Sequence, residues 1–262
     1  MKNIILRKYA TVLVLAVSAI VFMPTACTKE PPKEPEITMT TQASKVEIWV
    51  GITLSKGSDN FSIDWGDGEI SNSDNFSYRS SNPNLDRDSY KFSHSYLGAS
   101  KKCITITGDN IYMLYCCSNQ LSVLDVSQYD DLRALFCSQN LLTSLVLNPK
   151  LRELWCEYNP LTTFDVSNCT ALERLFAINC SLTSLKVSSN NTALINISCG
   201  DNKLSADALN NLFRSLPDTR GWISVKGNPG ENDCDYSILE GKGWGQWFPG
   251  QRSTEDCEEL YF

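Results

Sequence analysis

From Ile37 to about Gly108, apolar and polar residues alternate. Lys45-Val46-Glu47-Ile48-Trp49-Val50 and Cys103-Ile104-Thr105-Ile106-Thr107 both carry period two, the spacing of a strand with one buried face. Between them Phe61-Ser62-Ile63-Asp64 runs into Trp65-Gly66-Asp67-Gly68. Glycine supplies positive φ there and aspartate bonds its own backbone, so a tight turn is expected. Asp64 and Asp67 lack the further oxygens, at regular spacing, that a calcium loop requires. His94, the sole histidine, has no partner motif beside it, so a structural hydrogen bond at the start of a strand is expected in place of general-base work. Ser71 to Tyr90 is long and polar and reads as a loop insertion.

Beyond Gly108 the pattern becomes a repeat. Its copies are IYMLYCCSNQL from Ile111, LRALFCSQNLL from Leu132, LRELWCEYNPL from Leu151, LERLFAINCSL from Leu172 and LINISCGDNKL from Leu194, with starts stepping by 21, 19, 21 and 22 residues. Each copy predicts one short strand. The fourth position (Leu114, Leu135, Leu154, Leu175, Ile197) and the sixth (Cys116, Cys137, Cys156, Ala177, Cys199) point inward, cysteine serving as a small buried hydrophobe. Asn119, Asn140, Asn159, Cys180 and Asn202 hold the ninth position, where a side chain can satisfy backbone groups as the chain leaves the sheet. Leu124, Leu145, Phe164 and Leu185 begin the return side. No copy can bury its apolar face alone, so parallel stacking is expected. Ser205 to Leu216 has helical spacing with Ser205 as N-cap and Pro217 as stop. Gly221 to Gly230 reads as a final strand and turn, Asp233 to Lys242 as a short helix, and Trp244 and Trp247 as cover for the end of the stack.

The five copies match L-x-x-L-x-L-x-x-N/C-x-L and resemble the leucine-rich repeat family, in the short form of internalin-like bacterial surface proteins. DWGDG, HSY and ITITG, in that order, resemble the PKD-like β-sandwich of bacterial surface proteins. The two resemblances imply a mainly β chain with some helix: a PKD-like β-sandwich over 37–109, a leucine-rich-repeat solenoid with a parallel sheet over 110–218, and a C-terminal cap over 219–262.

The first 26 residues read as an address. Lys2, Arg7 and Lys8 precede Tyr9 to Phe22, 14 uncharged residues, too short to span a bilayer comfortably. Pro24-Thr25-Ala26-Cys27 resembles a bacterial lipobox, with Pro24 where leucine is usual, and implies lipid attachment at Cys27 and a membrane anchor, at the outer membrane or cell surface. Residues 27–36, rich in Pro and Glu, read as a solvated tether. Of 262 residues 23 are basic and 30 acidic; removing the leader takes three basic and no acidic groups, leaving a net charge of −10. That balance excludes nucleic acid as a main partner. With one histidine, a His-based metal cluster is excluded, and the cysteines follow the repeat period, not ligand spacing; no metal or other cofactor is expected. Cys234 and Cys257 can pair in an exported protein, though spacing does not fix connectivity.

Candidate binding residues come from the repeat's fifth position, which alternation turns out of the core. Tyr115, Phe136, Trp155 and Phe176 form a row there, with Glu153 and Arg174 at the third position, Glu157 at the seventh and Tyr158 at the eighth. The row is expected to face water. It can stiffen the sheet through cross-strand pairs, or accept a ligand, and the two are compatible. The expected function is a non-catalytic surface lipoprotein that binds a protein or other macromolecule, in adhesion or interaction. The alternative is a carbohydrate-binding accessory lipoprotein, the rings stacking on sugars. A glycosidase using two of Glu153, Glu157 and Glu173 ranks below both, because paired acids need a pocket that an open sheet does not offer.

Overall fold

The computed structural model describes residues 36–53, 60–82, 87–98 and 100–246. The expected leader, lipobox Cys27 and most of the tether lie outside the described residues, as do Trp247 and Cys257. Within the described part the chain is mainly β. In order it forms β1 (Glu36–Thr41), β2 (Lys45–Thr53), β3 (Phe61–Asp64), β4 (Ile70–Asn72), β5 (Tyr78–Asn82), β6 (Arg87–Ser95), β7 (Lys102–Gly108), β8 (Ile111–Tyr115) and β9 (Leu121–Asp125). It continues with β10 (Ala134–Phe136), β11 (Glu153–Trp155), β12 (Thr163–Asp165), β13 (Arg174–Phe176), β14 (Ser184–Lys186), β15 (Asn196–Ser198), α1 (Ala206–Ser215), β16 (Gly221–Ser224), α2 (Ser237–Gly241) and β17 (Trp244–Gln246). Glu36, placed in the tether by sequence, already pairs with Thr107 in β1. Residues 71–90, expected as a loop insertion, hold β5 and the start of β6; they are polar because β5 is an edge strand.

A ten-stranded sheet runs β17-β16-β15-β13-β11-β10-β8-β2-β6-β5. The repeat strands pair in parallel and in register, which aligns Leu114, Leu135, Leu154, Leu175, Ile197 and Ile223 in one row. That row and the sixth-position row from Cys116 to Cys199 are buried. At β8 the direction of pairing changes: antiparallel β2 follows, with Val50 opposite Leu114 and Trp49 opposite Tyr115. Strands from both sides of residue 109 therefore share one sheet. A five-stranded sheet, β4-β3-β7-β1-β9, likewise joins β1 and β7 to the repeat's β9. One hydrophobic core runs continuously from Ile37 to Trp244.

The ninth-position asparagines hold successive coils together. Asn140 Nδ2 donates to the carbonyls of Cys116 and Cys137 (3.0 and 2.9 Å), while its Oδ1 accepts from the backbone of Asn119 and Leu121. Asn159 and Asn202 repeat the arrangement. Cys180 substitutes its thiol, which donates to the Cys156 carbonyl at 3.2 Å. Asn119, the first of the series, turns instead to β2: its Nδ2 donates to the Glu47 carbonyl at 2.7 Å and its Oδ1 accepts from Glu47 N at 2.9 Å. The next residue back at each turn has left-handed φ (Ser118 59°, Gln139 57°, Tyr158 54°, Asn179 53°, Asp201 51°), so the chain leaves the sheet at the same point in each copy.

In the N-terminal segment the turn residues act as expected. Asp64 accepts from Gly66 N and Asp67 from Glu69 N. His94 stacks on buried Trp65 at 4.8 Å and its Nε2 lies 2.8 Å from Asp67 Oδ2, which holds the Asp67 carboxyl below its ordinary range. Tyr96 Oη donates to the Trp65 carbonyl. Helix α1 begins after Ser205, whose hydroxyl accepts from Ala208 N, as expected. Gly221–Gly230 proves to be a sixth copy: β16 continues the parallel ladder and Asn228 makes the ninth-position bonds to Cys199 and Val225. Sequence comparison missed it because Arg220 and Gly230 stand where the other copies carry apolar residues. Trp244 in β17 is buried over Gly221 and donates to the Pro217 carbonyl. Cys234 is a free thiol that donates to the Glu231 carbonyl.

Candidate functional site

The fifth-position rings do stand on the face of the ten-stranded sheet opposite the core, but they do not face water as a row. Phe136 is 1% exposed and Trp155 7%, whereas Tyr115 and Phe176 are half-buried. The cause is mutual cover. Ring centroids are 6.3 Å apart from Tyr115 to Phe136, 5.9 Å from Phe136 to Trp155 and 4.1 Å from Trp155 to Phe176. Strands spaced by about 4.8 Å leave little room for water between large side chains, so the inner rings shield each other. Met113, Ala134 and Cys117 pack beside them, and together with Trp49 they form a second, smaller hydrophobic cluster.

Trp49 shows that the row extends further than the repeat. Register places Tyr78, Lys91, Trp49, Tyr115, Phe136, Trp155 and Phe176 on one line across seven strands, roughly 29 Å long. Tyr78 meets Trp49 edge-on at 5.7 Å, and Lys91 Nζ lies 5.4 Å from the Trp49 ring. Sequence reasoning missed these three residues. The available signal was in β2 itself: Val46, Ile48 and Val50 are its buried face, so Trp49 stands on the polar face with Lys45 and Glu47. Gly51, next on that face, lacks the Cβ that would lie 2.9 Å from the Tyr112 ring folded over it. Lys45, Glu47, Trp49, Tyr115, Cys117, Ser118 and Asn119 line a shallow groove of about 350 Å³ at the β2–β8 seam. Lys45 and Lys91 both pair with Glu47 there (2.5 and 3.2 Å), which holds its carboxyl below the ordinary value.

The polar candidates divide. Glu153 accepts from Trp155 Nε1 at 3.1 Å and lies 3.7 Å from exposed Arg174, so it orients the ring it borders. Tyr158 is exposed, carried off the row by its left-handed backbone. Glu157, expected on an open rim, is 6% exposed, and burial raises its carboxyl to about 7. Glu173 pairs with Arg152 at 3.6 Å. Further along the sheet the face turns polar: Ser198 and Ser224 take the fifth position, and Trp222, 57% exposed, takes the third. The buried atoms Asn196 Oδ1 and Ser198 Oγ have no hydrogen-bond partner among the described residues. Among the described residues no group of three or more His, Cys, Asp or Glu could hold a metal ion, and no helix is long and apolar enough to cross a membrane.

No family model matches the chain, and no curated protein matches it. A similar solved structure is the functional domain of InlJ from Listeria monocytogenes, described as including a cysteine ladder; it is 26% identical over 50% of this chain, with a TM-score of 0.34. The match spans 38% of that chain.

Proposed function

We propose that this chain is a non-catalytic, exported surface lipoprotein that binds a protein through the aromatic face of its ten-stranded sheet. In this reading the copies from Ile111 onward are leucine-rich repeats, 37–109 is a PKD-like module fused to their first strand, and Cys27 carries the lipid. The carrying observation is the aromatic line from Tyr78 to Phe176, a second hydrophobic cluster on the face of the sheet opposite the main core, with Tyr78 exposed and Tyr115 and Phe176 half-buried. Large rigid rings at the centre with charged residues around them suit a protein interface, where a few buried aromatic anchors supply most of the affinity. Asn119 and Glu47 fasten the two parts of this line to each other, so a partner would meet one rigid surface.

The test is capture of surface proteins on the immobilised chain, compared with Trp155→Ala and with Phe176→Ser, the latter introducing the residue that the next two strands already carry in that register. Loss of a wild-type partner by both folded variants supports the reading; retention by both refutes it. A glycan ligand is the second reading, favoured by exposed Trp222 beside the unpartnered Asn196 Oδ1 and Ser198 Oγ. A glycan array that responds to the wild type and not to Trp222→Ala would select it.

A further inference from the structure

Glu157 has a feature that the aromatic row does not explain. The seventh repeat position lies on the aromatic face, since Cys117, at that position in the first copy, packs within the second cluster. The parallel ladder continues past the strands, with Cys137 N bonding Trp155 O and Gln139 N bonding Glu157 O, both at 2.8 Å. Ser138 and Glu157 therefore sit side by side, next to Phe136 and Trp155. Both are more than nine-tenths buried. Ser138 Oγ has no hydrogen-bond partner among the described residues. No hydrogen bond or ion pair of the described residues reaches the Glu157 carboxylate, and burial alone accounts for its raised proton affinity. The cations of the neighbouring columns are already engaged: Lys45 and Lys91 with Glu47, Arg174 with Glu153. Lys226, at the same repeat position, is three strands away, roughly 14 Å.

We propose that Ser138 and Glu157 form the polar floor of a subsite for an arginine side chain presented by the protein partner of the aromatic face. The inference rests on the reading of that face as a binding surface and specifies what the partner must bring. A buried acid without an internal partner, beside a hydroxyl without one, is a site that a donor completes. Guanidinium fits on two counts. Its planar fork can reach the carboxylate and the hydroxyl together, and its charge complements a chain with a marked acidic excess.

The probe is the tripeptide acetyl-Gly-Arg-Gly-amide, set against the same peptide with neutral, isosteric citrulline. Both are titrated at pH 8 into the full chain in detergent, followed by the indole N–H resonances. The arginine peptide should bind about tenfold more tightly than its citrulline counterpart. Glu157→Gln should remove that preference, while Asp130→Asn, which removes the same charge from an exposed site paired with Lys150, should keep it. Equal affinity for the two peptides, a preference that survives Glu157→Gln, or no binding of the arginine peptide at millimolar concentration overturns the proposal. Two further variants separate the two levels of the argument. Equal affinities that fall together in Trp155→Ala retain the face and overturn only the assignment to Glu157. Binding unaltered by both Trp155→Ala and Phe176→Ser overturns the face as well. Thermal melts establish that each variant is folded.

Discussion

Replacing Glu157 by glutamine should stabilise the protein, by an amount that depends on pH. Burial raises the carboxyl from its ordinary 4.5 to about 7. Below pH 4.5 the group is neutral in the folded and unfolded chain, and it contributes no difference. Between 4.5 and 7 the unfolded chain releases its proton while the folded chain keeps it, so stability falls as pH rises. Above 7 the folded chain carries a buried charge and the penalty is constant. The gap, at 1.36 kcal/mol for each tenfold change in proton affinity, comes to about 3 kcal/mol. Glutamine keeps the shape and cannot ionise, so it should remove that penalty. Urea unfolding of both proteins at pH 4, 6 and 8 measures it: the variant should match the wild type at pH 4 and exceed it by about 3 kcal/mol at pH 8. For a domain of this size that corresponds to a rise in Tm of roughly 6–12 °C at pH 8. All other acids are common to the two proteins and cancel in the difference. A variant less stable than the wild type at pH 8, or a difference that does not change with pH, would refute the reasoning.

Other substitutions test the ladder and the packing between coils. Asn159→Ala removes donations to Cys137 O and Cys156 O and leaves buried Leu142 N without its acceptor; chemical denaturation should show a loss of about 3–5 kcal/mol. Cys180→Asn restores the residue found in the other copies and should leave stability equal or raise it by about 1 kcal/mol, and a loss above that size would show that the thiol–carbonyl contact is specific to sulfur. Gly200→Ala would place a methyl 2.7 Å from the Lys226 carbonyl oxygen in the next coil, so thermal melting should report a destabilisation of about 1–3 kcal/mol.

The parts of this fold that repeat were legible in the sequence, and the parts fixed by a single register were not. Five copies of one frame make Leu114 to Ile197 a row whatever the surroundings, and the ninth-position series, Asn with one Cys, marks every turn. Nothing in Lys45 to Val50 says that β2 pairs with β8, because alternation identifies a buried face but not the neighbouring strand. The sixth copy was hidden because Arg220 and Gly230 break the frame at its ends, while Ile223, Val225 and Asn228 keep it inside. At the candidate site the positions were legible and the exposure was not. Whether a phenylalanine on the outer face meets water depends on the size of the side chain one strand away. Phe136 lies between Tyr115 and Trp155, and no pattern along a single strand shows that. The burial of Glu157 escaped for the same reason.

The antiparallel join at β8 bears on how such a chain could grow. A parallel array normally presents an open edge to which another coil can be added by duplication. Here Glu47 and Asn119 close that edge on the β8 side, while on the other side the parallel pairing runs on from β16 to β17, at the edge of the described sheet. New coils could not enter ahead of β8, so they would enter between existing ones, where the period supplies matching neighbours on both sides, or after them. Length variation among chains built on this plan should therefore come as whole insertions of about twenty residues beyond Ile111, with the join to β2 left unchanged.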